Sequence, residues 1–218
     1  MIEIIENTNG AYMGYSGDYI FEKMKLNQRH DSFIFDFIKN NIKITDKCID
    51  IGAYIGDITI PLSKSAKQVY AFEPNPNIFL ALCGNLFLNS CKNVKVFDFV
   101  CSDENCNFDF GANDTTGNLA STSFKKNDLG NIKAARIDSI IESEINFIKC
   151  DAEGGDLNAL MGCEKIIKES KPNILFEYHS ELSIKNYNKK LTDYYDFFYK
   201  LGYKLYDING SDYLAKYE

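Results

Sequence analysis

The residues of this chain that can carry chemistry sit where short apolar runs give way to turns. The first group is "DIGAYIG", residues 50–56, with Asp50 at its head and Ala53 and Tyr54 between two glycines. Gly52 and Gly56 bracket a tight turn in which a Cβ would keep a ligand away from the backbone, and the start of the next helix offers N–H groups without helical partners. The spacing is D-x-G-x-x-x-G, not the G-x-G-x-x-G that seats a pyrophosphate. Glu73 ends the next apolar run, "QVYAFEP", where a carboxylate can accept hydrogen bonds from both hydroxyls of a ribose. Strand, glycine turn, helix, strand and acid in this order describe a nucleoside site. A glycine turn on its own would be an ordinary strand-to-helix connection.

Further acids stand at the ends of later runs, where open α/β sheets keep their crevice. Ser102 and Asp103 follow the third strand and are placed to edge a base, with a solvated loop start as the alternative for Asp103. Asp151 and Glu153, in "KCDAEGGD", end the fourth. Two carboxylates there can balance a cation, position an acceptor hydroxyl or act as general base. Glu153 and Asp156 equally suit a helix start, which favours acids. Glu177, Tyr178 and His179 end the fifth strand. His179 titrates near neutrality when unperturbed, which makes it a candidate base, with a strand-capping surface residue as the alternative. His30 has no comparable setting.

Positioning these residues requires a particular order of elements. "DSFIFDFIKNNI" (31–42) has Phe33, Phe37 and Ile38 at helical spacing behind a possible Asp31 cap, and reads as an N-terminal cover over residues 1–45. From Lys47 strands and helices alternate, the pattern of βα units and a parallel sheet. "KCIDIG", "QVYAFEP", "NVKVFDFVCS", "NFIKCD" and "PNILFEYH" are the strands. "DITIPLSKSA", "NIFLALCGNLFLNS" and "GDLNALMGCEKIIKES" are helices between them, the second with Phe79, Leu82, Leu86 and Phe87 on one face. The polar stretch 103–131 is a loop or a β-excursion, followed by a strand "IKAARI" and a short helix "DSIIESE". "LTDYYDFFYKLG" is the last helix; its aromatic side chains divide between core and surface. "YKLYDI" and "DYLAKYE" close the chain as a hairpin.

Bulk properties narrow the class. The chain has 218 residues, 45% of them hydrophobic, which supplies one sizeable core. Lys plus Arg number 24 against 31 Asp plus Glu, and the net charge of −7 disfavours a nucleic-acid partner. No run is long enough for a membrane span and no secretory leader opens the sequence, so a cytoplasmic protein is expected. The seven cysteines form no C-x-x-C pair; they read as small core residues in a reducing compartment, and no metal site is expected.

In "CIDIGAYIGDITI", "VYAFEPNPNIFLALCGNLFLN", "ARIDSII", "NFIKCDAEGGDLNALMGCEKII" and "KPNILFEYH", in that order, the chain resembles the FkbM-type methyltransferases. The pairing of "FEPNP" with "DAEGGDLNALMG" is the specific part. The resemblance implies an α/β, Rossmann-like class I methyltransferase fold, a mostly parallel sheet with a C-terminal antiparallel hairpin, over residues 46–218. It implies S-adenosyl-L-methionine as cofactor, with Asp50, Gly52, Ala53, Tyr54 and Gly56 shaping its pocket and Glu73 holding the ribose. Pro74 and Asn75 would border the ribose and Ser102 and Asp103 flank the adenine, while Asp151 and Glu153 lie at the reaction face. A looser match places Glu22 beside them. The family usually has Asn where Tyr54 stands and a small aliphatic residue and glutamate where Gly155 and Asp156 stand. The resemblance does not carry over an acceptor; the expected reaction is O-methylation of a sugar or small-molecule hydroxyl, with Asp151, Glu153 and, from its place after the fifth strand, His179 as catalytic candidates. A nicotinamide-dependent oxidoreductase and a non-catalytic nucleoside-binding module are the competing readings.

Overall fold

The computed structural model describes residues 1–28, 32–110 and 122–218. The chain opens with a hairpin of β1 (Ile2–Asn7) and β2 (Gly10–Tyr15), then α1 (Tyr19–Lys25) and α2 (Ser32–Asn41). The alternating part runs β3 (Lys47–Ile51), α3 (Thr59–Ser65), β4 (Gln68–Phe72), α4 (Pro76–Leu88) and β5 (Val94–Phe97). An excursion of β6 (Val100–Cys101), β7 (Cys106–Phe110), β8 (Phe124–Lys126) and β9 (Ile132–Ala135) follows. The chain then returns through β10 (Phe147–Cys150), α5 (Asp156–Met161), α6 (Glu164–Ser170) and β11 (Asn173–Glu177), and ends with α7 (Ser180–Tyr187), α8 (Leu191–Lys200), β12 (Tyr203–Asp207) and β13 (Asp212–Tyr217).

Seven strands form the main sheet in the order β12-β13-β11-β10-β3-β4-β5. β11, β10, β3, β4 and β5 are mutually parallel, and β13 runs antiparallel to both β11 and β12. This is the mostly parallel sheet with a terminal antiparallel hairpin that the resemblance implies. The excursion makes a separate sheet, β6-β9-β7-β8.

Strand alternation sorts the core between two faces. Ile49, Ile51, Ile148, Cys150, Ile174 and Phe176 pack with Leu157, Leu160 and Ile167 of α5 and α6, and with Tyr194 and Phe198 of α8. The intervening residues Cys48, Phe147 and Leu175 meet Ile34 and Ile38 of α2 and Leu62 of α3. Tyr194 and Phe198 are fully buried and stack on Phe176, whereas Tyr195 and Tyr199 are exposed, the division expected of that aromatic helix.

Several elements differ from the sequence reading. The first residues build a hairpin and a helix before the expected α2, because Tyr12 and Phe21 bury fully against Ile55 and Leu82. "NVKVFDFVCS" is two strands in two sheets, since the chain leaves the main sheet after Phe97. "DSIIESE" gives only a 3₁₀ turn over Ile137–Ser139. The helix expected over 155–170 breaks into α5 and α6 at Gly162, where the Ser102 carbonyl comes so close that a Cβ would lie 2.2 Å from it. Phe87 is 85% exposed; the buried face of α4 is Ile78, Ala81, Leu82, Asn85 and Leu86. Cys48, Cys101, Cys150 and Cys163 are buried, while Cys83, Cys91 and Cys106 are half-exposed. His30 and the Asp31 cap lie outside the described residues. Among the described residues no helix is long and apolar enough to cross a membrane.

Candidate active site

Strand register brings the site together. Ile51 pairs with both Phe72 and Cys150, Cys150 with Phe176, and Glu177 with Asp212. One position beyond those parallel pairs, Glu73, Gly52, Asp151, Glu177 and Asp212 fall in one row across the carboxyl edge of the sheet, and all five line a single open cleft of about 1330 Å³. A second, mostly apolar slot of about 550 Å³ adjoins it, walled by Phe99, Val100, Cys101, Phe124 and Pro74. Gly52, Glu73, Asp151 and Glu153 line both, so they form the seam.

Gly52 is required on two counts. Its φ is +75°, and a Cβ would lie 1.8 Å from the Asp151 carbonyl oxygen. The turn differs from the expected one in its N–H groups. Those of Gly52 and Ala53 both donate to the Phe72 carbonyl at 3.0 Å, that of Gly56 to the Ala53 carbonyl at 2.9 Å, and that of Tyr54 to Glu73 Oε2 at 3.0 Å. These N–H groups are therefore engaged inside the protein and form no anion cradle.

Glu73 is 7% exposed and accepts one backbone N–H on each oxygen, from Tyr54 and from Asn75. Each oxygen keeps a further lone pair. Burial, partly offset by those two hydrogen bonds, pushes its pKa up to about 7. Asp50 is wholly buried behind the turn; its Oδ2 accepts from Thr59 Oγ1 at 2.6 Å, and its Oδ1 has no partner. Burial also raises the Asp50 pKa. Tyr54 holds φ at +47° and donates its hydroxyl to Asp18, which also caps α1 through the Phe21 N–H at 3.0 Å.

The loop after β10 is folded by Asp156, which accepts from the Ala152 N–H at 3.0 Å and the Gly154 N–H at 3.2 Å. Asp156 thus serves the helix start, and burial with nearby Asp151 pushes its pKa up to about 7. The loop turns at Glu153 and Gly154, with φ +49° and +89°. Lys149, two residues before Asp151 on β10, reaches the Gly52 carbonyl and Asp151 Oδ2, each at 3.3 Å. Glu177 shares the cleft with Asp151, and burial together with that neighbouring carboxylate raises its pKa. His179 lines the cleft too, but its Nδ1 accepts the Leu182 N–H at 3.3 Å and caps α7.

Other expected residues stand back from the cavities. Ala53 is buried in the turn, Gly56 packs on Leu82, and Asn75 caps α4 by accepting the Asn77 N–H at 3.1 Å. Ser102 and Asp103 lie just past the slot, whose walls come instead from Val100 and Cys101; Asp103 Oδ1 accepts from Asn158 at 2.9 Å. Glu22 lies on α1, held by the Gly17 N–H and Lys25, and does not line either cavity. Lys149, Asp57, Phe124 and Tyr187 line the cavities without having been singled out from sequence. Lys149 carried a usable signal, a charge inside an otherwise apolar strand.

A model described as the methyltransferase FkbM domain matches residues 50–205. The chain belongs to the FkbM methyltransferase family. That membership overturns the nicotinamide reading of the glycine turn. Among solved structures, this FkbM chain is similar to methyltransferase FkbM from Methylobacillus flagellatus KT, at 22% identity and TM-score 0.56, over 81% of this chain and 44% of that one. It is also similar to SMU.1697c, a putative methyltransferase from Streptococcus mutans in complex with SAH, at 15% identity and TM-score 0.56, over 86% and 97% of the two chains. The curated ribosomal RNA small subunit methyltransferase A of Wigglesworthia glossinidia brevipalpis is 42% identical over 62 residues. That match spans 28% of this chain and 21% of the relative.

Proposed function

We propose that the chain transfers a methyl group from S-adenosylmethionine to a hydroxyl oxygen of a sugar or small-molecule acceptor. The observation that carries this reading is the division of labour at the seam. The glycine turn directs the N–H groups of Gly52, Ala53, Tyr54 and Gly56 to Phe72, Glu73 and Ala53, away from any pyrophosphate, while the adjoining cleft is lined by Asp57, Glu73, Asp151, Glu153, Glu177 and Asp212 against Lys149 and His179. Such a lining suits a cation and repels a phosphate backbone. The acceptor is accordingly uncharged or cationic, not nucleic acid.

The adenine would lie in the apolar slot between Phe99, Val100 and Phe124, and the ribose hydroxyls on the free lone pairs of Glu73. Gly52 leaves the seam open for the sugar. S-adenosylmethionine supplies an activated methyl on a positive sulfur. The protein's part is alignment, exclusion of water and removal of a proton from the acceptor hydroxyl by Asp151, with Glu153 at the same face.

Thermal-shift titrations with S-adenosylmethionine, S-adenosylhomocysteine and NAD test the cofactor, since a ligand bound only by the native state raises stability by about 2.7 kcal/mol at a hundred times its Kd. Methyl-labelled donor incubated with carbohydrate and small-molecule fractions tests the acceptor. Stabilisation by the two sulfur nucleosides and label on a hydroxyl-bearing product are expected. Binding without transfer to any fraction would instead indicate a non-catalytic nucleoside module.

A further inference from the structure

The row of carboxylates along the sheet edge contains one acid that the family resemblance leaves without a part. β10 and β11 are parallel neighbours in register, so the residues that follow Cys150 and Phe176, Asp151 and Glu177, stand side by side at the same height on the same face. Adjacent strands are about 4.8 Å apart, within reach of a carboxyl-to-carboxyl hydrogen bond. Both also line the same cleft, and the Asp151 carboxyl, after burial, raises the pKa of Glu177. Two carboxylates in such contact cannot both be ionised without repulsion, so the pair carries a shared proton.

The surroundings decide which member keeps it. Lys149 faces Asp151 from the same strand, 3.3 Å from Oδ2, and favours the ionised form there. Glu177 is faced by Asp151 from β10, by Glu153 and Asp156 from the loop and helix that follow, and by Asp212 from β13, while His179 stands at the end of its own strand. These carboxyls outnumber the cations, which are Lys149 beyond Asp151 and, when protonated, His179. His179 is poorly placed to replace either carboxylate, because its Nδ1 lone pair is taken by the Leu182 N–H.

We propose that Glu177 is a positioning residue which stays protonated at neutral pH, donates its carboxyl hydrogen to Asp151, and so aims the ionised Asp151 at the acceptor hydroxyl. This inference rests on the O-methyltransfer reading given above. In the step concerned the acceptor O–H bond breaks and its proton passes to Asp151. The oxygen electron pair forms the new O–CH3 bond, the S–CH3 pair stays on sulfur as a neutral thioether, and the proton is then released to water. Glu177 neither gains nor loses a proton overall. It also covers one side of Asp151, which leaves the side toward the seam as the direction from which a proton can arrive.

The test starts from the whole chain without ligand. Carboxyl carbons labelled with carbon-13 are followed by NMR against pH in the unmodified protein, in Glu177→Gln and in Asp151→Asn. One resonance of the unmodified protein is expected to keep its protonated shift through neutral pH and to vanish in Glu177→Gln, with Asp151 titrating as a single carboxylate. Two fully ionised carboxyls at neutral pH would overturn the proposal, whatever the chain's activity.

The second arm measures transfer of labelled methyl to the acceptor fraction that the unmodified chain methylates. Glu177→Gln keeps the donor and cannot ionise, so it should retain turnover at neutral pH within a few-fold while losing the alkaline limb of the pH profile. Glu177→Ala should lose about a hundredfold, the scale of a misplaced general base. Equal loss in both variants, or an unchanged alkaline limb in Glu177→Gln, would reduce Glu177 to packing and sink the proposal. S-adenosylhomocysteine binding is measured on the same samples. Should it bind while no fraction is ever labelled, methyl transfer is refuted as the activity and the Glu177 role falls with it, while the NMR titration reports on the shared proton independently.

Discussion

At the scale of single residues, the site depends on one missing side chain and one buried acid. A Cβ at Gly52 would meet the Asp151 backbone at 1.8 Å in a left-handed conformation, and backbone cannot swing aside as a side-chain tip can. Gly52→Ala is therefore expected to cost about 2–4 kcal/mol in urea unfolding and to abolish S-adenosylhomocysteine binding. Glu73 gives a prediction in pH. Its folded pKa, about 7, lies above its ordinary value of 4.5, so between those values the native state holds a proton that the unfolded chain has released. Stability contributed by that proton is present below 4.5 and is lost as pH rises through about 7. Asp156, also pushed up to about 7, adds to the same slope. Glu73→Gln should flatten this decline in ligand-free melts. The ribose grip proposed for Glu73 asks for the ionised form, so affinity for S-adenosylhomocysteine should rise roughly tenfold between about pH 6 and about pH 8 in the unmodified chain and stay flat in Glu73→Gln.

At the scale of elements, Tyr54 links the glycine turn to the N-terminal segment through Asp18, which is 2% exposed and also caps α1. Tyr54→Phe removes a donor from a buried carboxylate and should cost about 1–3 kcal/mol by thermal unfolding, with α1 loosening first in hydrogen exchange. The β3-turn-α3-β4 unit and the ends of β10 and β11 are legible in the sequence because each strand is a short apolar run closed by an acid, and the register of a parallel sheet then places those acids in one row. Glu177 belongs to that row, yet its meaning depends on its lateral neighbour, which only register supplies. The slot walls are less legible. Val100 and Cys101, not Ser102 and Asp103, reach it because the chain crosses to the second sheet at Val100, a tertiary decision without local signal. The break at Gly162 follows similarly from the approach of Ser102, and the solvent-facing alternation of β1 lacks the apolar stripe that would announce a strand.

At the scale of the whole molecule, the N-terminal segment is more than a cover. Ile34 and Ile38 share a cluster with Leu62, Leu175 and Leu214, and Tyr12 and Phe21 share another with Ile55 and Leu82. Burying each large side chain is worth about 1.5–3 kcal/mol, so losing these four alone approaches the roughly 5–15 kcal/mol by which domains are stable. A chain lacking residues 1–45 is expected to show no cooperative melt by circular dichroism. A sharp transition would mean that the remainder folds alone. The central claim is that Gly52 and Glu73 frame a grip on an adenosine sugar beside an acidic cleft. Calorimetric titration of S-adenosylhomocysteine and of NAD into the unmodified chain and Glu73→Ala tests it most directly. Saturable binding of S-adenosylhomocysteine to the unmodified chain, absent in Glu73→Ala and absent for NAD in both, is the expected result; binding that Glu73→Ala leaves intact, or a preference for NAD, would contradict it.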